Sequence, residues 1–252
     1  MFFQAKPTIA DDDLDWQLDC WQWLLENLGG VDALRSYQTV LPSHEYFIKS
    51  GKKGHEHALH VFSEVCSYFR INPEQFQLVQ QEEELDPVMG PLHVVQNLPQ
   101  GPLGTYSMDE VQRHAISYSP KILSDLEQLI ATFAHEVCHP ILLSFSEQPP
   151  GGNEAEEFAT DLAVVFHGFG IFGGNGSFKF QQFTNHDNQG WSFNRNGYLT
   201  QNEWGFAIAL RALLTNDDLE LALKYASDGL ASNICKNLKF LTKNIELVDD
   251  LR

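Results

Sequence analysis

The sequence has little positive charge and lacks a long apolar run. Sixteen Lys and Arg stand against 34 Asp and Glu in 252 residues, giving a formal net charge of −18. Nucleic-acid backbones and anionic membrane surfaces repel a chain of this charge, so we predict no nucleic-acid partner. The longest apolar run, 162–174, contains His167 and is shorter than the roughly 20 residues of a membrane-spanning helix. We therefore also predict no membrane insertion.

Cysteine is scarce too, and no two cysteines have C-x-x-C spacing. Such a distribution is typical of reduced, mostly buried thiols in a cytosolic protein. The segment 1–7 has no cationic stretch followed by an apolar run, and carboxylates follow it at once, so we expect no secretory signal or transit peptide. These features predict a cytoplasmic protein whose thiols are Cys20, Cys66, Cys138 and Cys235.

The patterning predicts an α+β fold with predominantly helical ends. Hydrophobic residues make up 43% of the chain, enough for a core, and its length fits a single domain over 1–252. We divide this domain into a helical N-terminal part, a central part with the sheet, and a C-terminal part of loop and helices. Their ranges are 1–75, 76–170 and 171–252.

Helices are predicted where apolar residues recur at helical spacing, and strands where short alternating or apolar runs lie between Pro and Gly. Ser124–Glu127 and Thr200–Glu203 are capping boxes that each open a helix. Residues 170–199, rich in Gly and Asn, are predicted to be largely loop. The predicted helices are 14–28, 56–69, 124 to about Pro140, 153–168, 200–214, 217–226 and 229–242, and the strands are 76–80, 92–96 and 114–118.

The motif that indicates chemistry is His135-Glu136-Val137-Cys138-His139, an H-E-x-x-H sequence in the helix after the last predicted strand. Four residues advance a helix by about 400°, so both imidazoles project from one face about 6 Å apart along the axis. This spacing suits two ligands of a tetrahedral Zn²⁺. Glu136, beside the first ligand, can reach a metal-bound water without binding the metal.

A third ligand is needed, and the acidic segment after the motif offers several. Glu157 and Asp161 are four residues apart on one face of the next predicted helix. The intervening chain is long enough for a loop and an antiparallel helix that returns to the metal. Glu154 and Glu156 are alternatives to Glu157, although the first turn of a helix also favours acids for its dipole alone.

Within roughly 110–170 the chain resembles the gluzincin metallopeptidases, zinc enzymes with H-E-x-x-H and a downstream Glu-x-x-x-Asp, here Glu157 to Asp161. The resemblance implies a zincin-like fold, in which a small sheet packs on the H-E-x-x-H helix and a Glu-bearing helix. It implies one zinc per chain held by His135, His139 and Glu157, with Asp161 hydrogen-bonded to a ligand imidazole.

The same resemblance implies hydrolysis of a peptide or protein substrate, with Glu136 as the general base. The substrate would add as a strand near 116–119, and a Tyr or His would donate to the oxyanion. The residues available for that donor are His167, His186 and Tyr198.

An alternative hypothesis is a catalytically inactive zincin-fold protein that serves as a binding or regulatory module. Pro140 favours it, because a proline directly after His139 biases that residue away from helical geometry. The intact Glu136 favours the enzyme, since a binding module needs no general base.

Two further patterns are interpreted without a metal. Residues 192–203 are similar to an EF-hand loop, but Glu203 would be its only carboxylate ligand, and an Asn-Gly turn before a capping box explains the same residues. We therefore expect no calcium there. The histidines His55, His57 and His60 are interpreted as polar residues at a helix N-terminus.

Overall fold

A computed structural model describes residues 6–82, 103–108, 114–184 and 198–252, with the backbone alone at 178–184. Within these ranges the N-terminal part contains three helices, confirming both helices predicted there. The first ends at Leu28 and is capped by Gly29, whose φ of +90° is one that glycine adopts without strain. The helices are α1 (Asp11–Leu28), α2 (Gly30–Ser36) and α3 (Gly54–Phe69).

Three short strands form a mixed sheet in the order β1-β3-β2. Strand β1 (Phe76–Gln80) is parallel to β3 (His114–Tyr118), with Phe76 opposite His114. Strand β2 (Gly104–Met108) is antiparallel to β3, with Gly104 opposite Tyr118. Because neighbours occupy both sides of β3, this strand is central, and β1 and β2 are the outer strands among those described.

The sheet corrects one expectation and adds a strand. We predicted that residues 116–119 would receive an added substrate strand, but β3 is paired on both sides along its whole length, so this prediction is wrong. Strands 76–80 and 114–118 are confirmed with the predicted bounds. Strand β2 was not predicted, because its large apolar residues are only Tyr106 and Met108 and they form no continuous run. The predicted strand at 92–96 lies outside the described residues.

Helix α4 (Leu126–Leu143) carries the H-E-x-x-H motif and packs against one face of the sheet. Its N-cap is Asp125, which accepts a hydrogen bond from the Gln128 N–H, so the predicted cap at Ser124 is wrong. The ring of Phe133 packs edge-on against Tyr118 of β3 and against Phe62 of α3. These contacts join α4 to both the sheet and α3, and α3 itself touches the sheet where Phe62 packs against Phe76 of β1.

The helix also continues past the point where we expected it to close. Pro140 lies inside α4, which ends three residues later at Leu143. The helix accommodates the proline ring but lacks one hydrogen bond, the one that an N–H at 140 would donate to the Glu136 carbonyl. His139 therefore retains helical geometry, and the skewed second histidine that Pro140 suggested is absent.

Two helices pack behind α4. A 3₁₀ turn, Gly152–Ala155, leads into α5 (Glu156–Phe166), so this helix begins three residues after the predicted start at 153. Helix α6 (Gly170–Thr184) then occupies half of the segment predicted to be loop, and that prediction is wrong over this range. The glycines of α6 serve close packing: a Cβ on Gly173 would lie 2.2 Å from Trp204.

The C-terminal part is helical, as predicted. The helix after α6 opens with the expected capping box, in which Thr200 and Glu203 exchange hydrogen bonds. Apolar side chains from all three parts of the chain join one core cluster. No helix in the described ranges is long and apolar enough to cross a membrane. The helices are α7 (Gln201–Thr215), α8 (Glu220–Tyr225), α9 (Asp228–Lys243) and α10 (Glu246–Asp249).

Candidate metal centre

The side chains of His135, His139 and Glu157 converge on one point. One ligand atom from each lies within 4.8 Å of the others, and no other such group of three or more His, Cys, Asp or Glu occurs among the described residues. Nε2 of His135 is 3.0 Å and Nε2 of His139 is 3.9 Å from Oε2 of Glu157. Tetrahedral zinc bonds of about 2.1 Å separate neighbouring ligand atoms by about 3.4 Å. The cluster thus matches the spacing of a zinc site.

Two helices position these three ligands. His135 and His139 are one turn apart on α4, and their rings are 5.0 Å apart and nearly perpendicular. Glu157 lies in the first turn of α5, which packs against α4. Both histidines are buried, whereas the Glu157 side chain keeps 40% of its surface exposed. The cluster is therefore open to solvent on its Glu157 side.

Asp161, one turn after Glu157, fixes the orientation of the first histidine. Its Oδ1 is 3.0 Å from Nδ1 of His135, and its Oδ2 accepts a hydrogen bond from the Leu199 N–H at 2.9 Å. A carboxylate on Nδ1 leaves Nε2 free to face a metal and makes it a stronger donor. The backbone at Leu199 holds this carboxylate in place.

The ionisation of His135 and Glu157 shows that the cluster favours a cation. Burial opposes the charged form of His135, but its hydrogen bonds to Asp161 and Glu157 raise its pKa well above the ordinary value. Burial also opposes ionisation of Glu157, yet the His135 hydrogen bond lowers the pKa of that carboxyl. Without a metal, a proton on His135 thus supplies the positive charge that a bound cation would bring to these carboxylates.

The second histidine is prepared to act as a neutral ligand. Burial and the positive charge of His135 lower the pKa of His139 to about 4. An unprotonated imidazole is the form that binds a metal. Its Nδ1 is 3.9 Å from Glu156, too long for a hydrogen bond.

Glu136 lies beside the cluster without belonging to it. Its Oε2 is buried, has no hydrogen-bond partner among the described residues, and is 4.0 Å from Nε2 of His139. Burial, reinforced by the nearby Glu157 charge, raises the pKa of Glu136 to about 7. A buried carboxylate oxygen without a partner is costly, and here it lies close to a nitrogen of the candidate ligand set.

Comparison with known proteins finds no match to this chain, whether among protein-family models, curated proteins or solved structures.

Of the three residues predicted as oxyanion donors, Tyr198 and His167 lie in described ranges, and the fold separates these two. The Tyr198 ring lies 5.4 Å from that of His135, and burial and the nearby carboxylates raise the pKa of its phenol. His167 instead lies in the core, 4.7 Å from the rings of both Tyr37 and Phe69, with Nδ1 donating to the Ala163 carbonyl. His186 lies outside the described residues.

Strand β2 brings a side chain that sequence reasoning missed. The Tyr106 ring stacks on His139 at 5.9 Å with 16° between the planes, and its hydroxyl is 2.8 Å from Nδ1 of His114 on β3. Burial raises the pKa of Tyr106, which keeps the phenol protonated. The alternation in 104–108 was the available signal, but only the fold shows that this face meets α4.

Glu203, His55 and His60, which we interpreted without a metal, each lie close to another polar group. Oε2 of Glu203 accepts a hydrogen bond from the Thr200 N–H within the capping box, while 192–197 lies outside the described residues. Nδ1 of His55 lies 2.9 Å from the Tyr118 hydroxyl, and His60 lies 3.5 Å from Glu64.

Proposed function

We propose that this protein is a zinc-dependent metallopeptidase of the gluzincin type. The observation that carries the proposal is the convergence of His135, His139 and Glu157 beside the buried, unpartnered carboxylate oxygen of Glu136. Two imidazoles and one carboxylate form the ligand set of catalytic zinc sites, which keep the fourth position for water. A purely structural zinc site would fill that position with a fourth protein ligand.

The chain's own residues have distinct roles in this proposal. Bound zinc would supply Lewis-acid polarisation of the substrate carbonyl and a more acidic water. Asp161 holds His135 with Nε2 toward the ion, and Glu157 offers a negative charge from the solvent side. Glu136 takes a proton and passes it to the leaving amine, a task for which a carboxyl of pKa about 7 is suited near neutral pH.

The substrate backbone is assigned to strand β2. Among the described strands β2 is an outer one, and its first residue, Gly104, lies against Glu136. An extended peptide adding to the edge of β2 that no described strand pairs would run beside the cluster. We assign the oxyanion donor to Tyr198, which, of the two predicted donors in the described ranges, lies beside a ligand histidine.

The proposed compartment is the cytoplasm. All four cysteines are free, and three of them are buried. Burial raises the pKa of the Cys66 thiol to about 12, so it is a poor nucleophile. Free, unreactive thiols are consistent with a reducing environment.

The test is the substitution Glu136→Gln, which removes the proposed base and leaves all three ligands. Purified zinc-loaded wild type is expected to cleave an unstructured protein, with a chelator abolishing cleavage. Glu136→Gln should retain stoichiometric zinc by elemental analysis and lose cleavage by about 10²-fold or more. Glu154→Gln is the matched control, since Glu154 is an exposed acid just before α5, and it should keep both zinc and activity.

Two outcomes would contradict the proposal. Wild type without stoichiometric zinc would exclude the metal centre itself. Wild type that holds zinc but cleaves nothing in an unbiased peptide screen would instead support the alternative, an inactive zincin-fold binding module.

A further inference from the structure

Strand β2 approaches α4 so closely that its first residue has no room for a side chain. A Cβ on Gly104 would lie 2.5 Å from Cγ2 of Thr132 and 2.8 Å from Oε1 of Glu136. Neither distance is compatible with van der Waals contact. Gly104 is not among the residues with positive φ, so its backbone conformation does not itself require glycine. The requirement comes from the space that Thr132 and Glu136 occupy.

Packing, more than hydrogen bonding, holds the Glu136 side chain. Its Oε2 has no hydrogen-bond partner among the described residues, and the Thr132 hydroxyl, one turn earlier on α4, has none either. Both side chains are buried, at 5% and 1% exposure. A carboxylate without hydrogen-bond restraint takes its position from the walls around it, which here include the Gly104 backbone and the Thr132 methyl.

We propose that Gly104 is a positioning residue for Glu136. Because Gly104 has no side chain, it leaves the space in which the Glu136 carboxylate is held beside the candidate metal ligands. Its role in catalysis rests on the proposed peptidase function. An alanine at 104 would push the carboxylate or the strand away. Reactions of this kind tolerate only displacements of well under 1 Å, and a shift of about 1 Å can lower the rate roughly 100-fold.

The kinetic test compares Gly104→Ala with a rescue by a second substitution. Gly104→Ala should keep stoichiometric zinc and leave KM within about threefold, while kcat for an unstructured peptide falls at least 10-fold. Adding Thr132→Ser removes the crowding methyl and should recover part of kcat. Adding Thr132→Val retains a methyl and should recover none. Ser63→Ala, at an exposed position of α3, is the control and should match wild type.

A second measurement needs neither zinc nor activity. In metal-free protein, Gly104→Ala should lower Tm by several degrees in the wild-type background. In the Glu136→Ala background the carboxylate is gone but the Thr132 methyl remains, so the fall in Tm should be smaller without vanishing. A reduced fall reports a direct steric contact between the two positions.

The outcomes separate this inference from the proposed function. Equal falls in Tm in both backgrounds, or an unchanged kcat in Gly104→Ala, would overturn the positioning role. Loss of zinc together with activity would show a merely structural role and overturn it as well. If wild type cleaves nothing, the peptidase proposal fails, and the metal-free Tm measurement still decides whether Gly104 positions Glu136.

Discussion

At the scale of single residues, the candidate metal centre depends on the hydrogen bonds of the two ring nitrogens of His135. Both ring nitrogens of His135 lie 3.0 Å from a carboxylate oxygen, one of Asp161 and one of Glu157. In the proposed site, zinc would replace the proton on the Glu157 side, because the other nitrogen is hydrogen-bonded to Asp161. Asp161 would therefore determine which nitrogen of His135 becomes a ligand.

Asp161→Asn should weaken zinc binding without removing a ligand. The amide can still accept from the Leu199 N–H, but it loses the charge that makes His135 a strong donor. We expect affinity to fall about 10–100-fold, measured by competition with a chelator of known affinity. Asp249→Asn, whose carboxylate pairs with Arg252 at the surface, is the control. Equal affinities in the two variants would contradict this role.

His167 should make the protein sensitive to acid. Burial lowers its pKa to about 4 from an ordinary 6.5, so between these values the unfolded chain binds a proton that the folded chain does not. Stability is therefore full above about pH 6.5 and falls as the pH drops toward 4, by about 3 kcal/mol in all.

His167→Phe removes this titration and fills the space between Tyr37 and Phe69. Urea denaturation at several pH values should show a smaller loss of unfolding free energy from pH 6.5 to 4 than in wild type. His44→Gln, at an exposed position, should retain the wild-type loss. An unchanged loss in His167→Phe would place the acid sensitivity elsewhere.

At the scale of elements, the sequence predicted what local chemistry determines. Strands β1 and β3 and the capping box of α7 were predicted correctly, because apolar alternation and paired capping residues are local signals. Helix α6 was mispredicted as loop, since its glycines suit close packing against Trp204, which lies far along the chain. Strand β2 was missed because two alternating apolar residues, Tyr106 and Met108, are too short a pattern to predict a strand.

The site divides in the same way. The H-E-x-x-H spacing and the Glu157–Asp161 interval predicted residues that the fold does bring together, because one helix turn fixes each pair. Gly104 and Tyr106 could not be predicted, since they reach Glu136 and His139 from a separate strand. The Leu199 N–H was missed for a similar reason, being a backbone group that reaches Asp161 through tertiary packing.

Pro140→Ala tests the continuity of α4. Because α4 runs past Pro140, an alanine restores an N–H for the Glu136 carbonyl and removes the ring that crowds the preceding turn. After allowing for the greater freedom of the unfolded chain, we expect a gain of about 2 kcal/mol and a Tm higher by roughly 5 °C. Zinc stoichiometry should not change. A lower Tm would show that Pro140 relieves a strain at His139.

At the scale of the whole molecule, the candidate metal centre joins two central helices. The ligands lie on α4, which packs against β2, β3 and α3, and on α5, which packs against α1, α6 and α7. A zinc ion bound to both helices would tie the sheet side of the molecule to the helices behind it. The chain carries −18 overall, so a divalent cation also offsets part of a strong self-repulsion.

Zinc should therefore stabilise the whole fold through binding linkage. Free zinc at 100 times its Kd adds about 2.7 kcal/mol, which for a chain of this size raises Tm by roughly 5–10 °C relative to protein in chelator. Glu157→Ala removes a ligand and should abolish most of the rise. The double variant with His57→Gln and His60→Gln removes histidines of α3 that could bind zinc adventitiously, and it should keep the full rise. A rise that survives Glu157→Ala but is lost in the α3 variant would place the bound zinc on α3 and contradict the metal centre on α4 and α5.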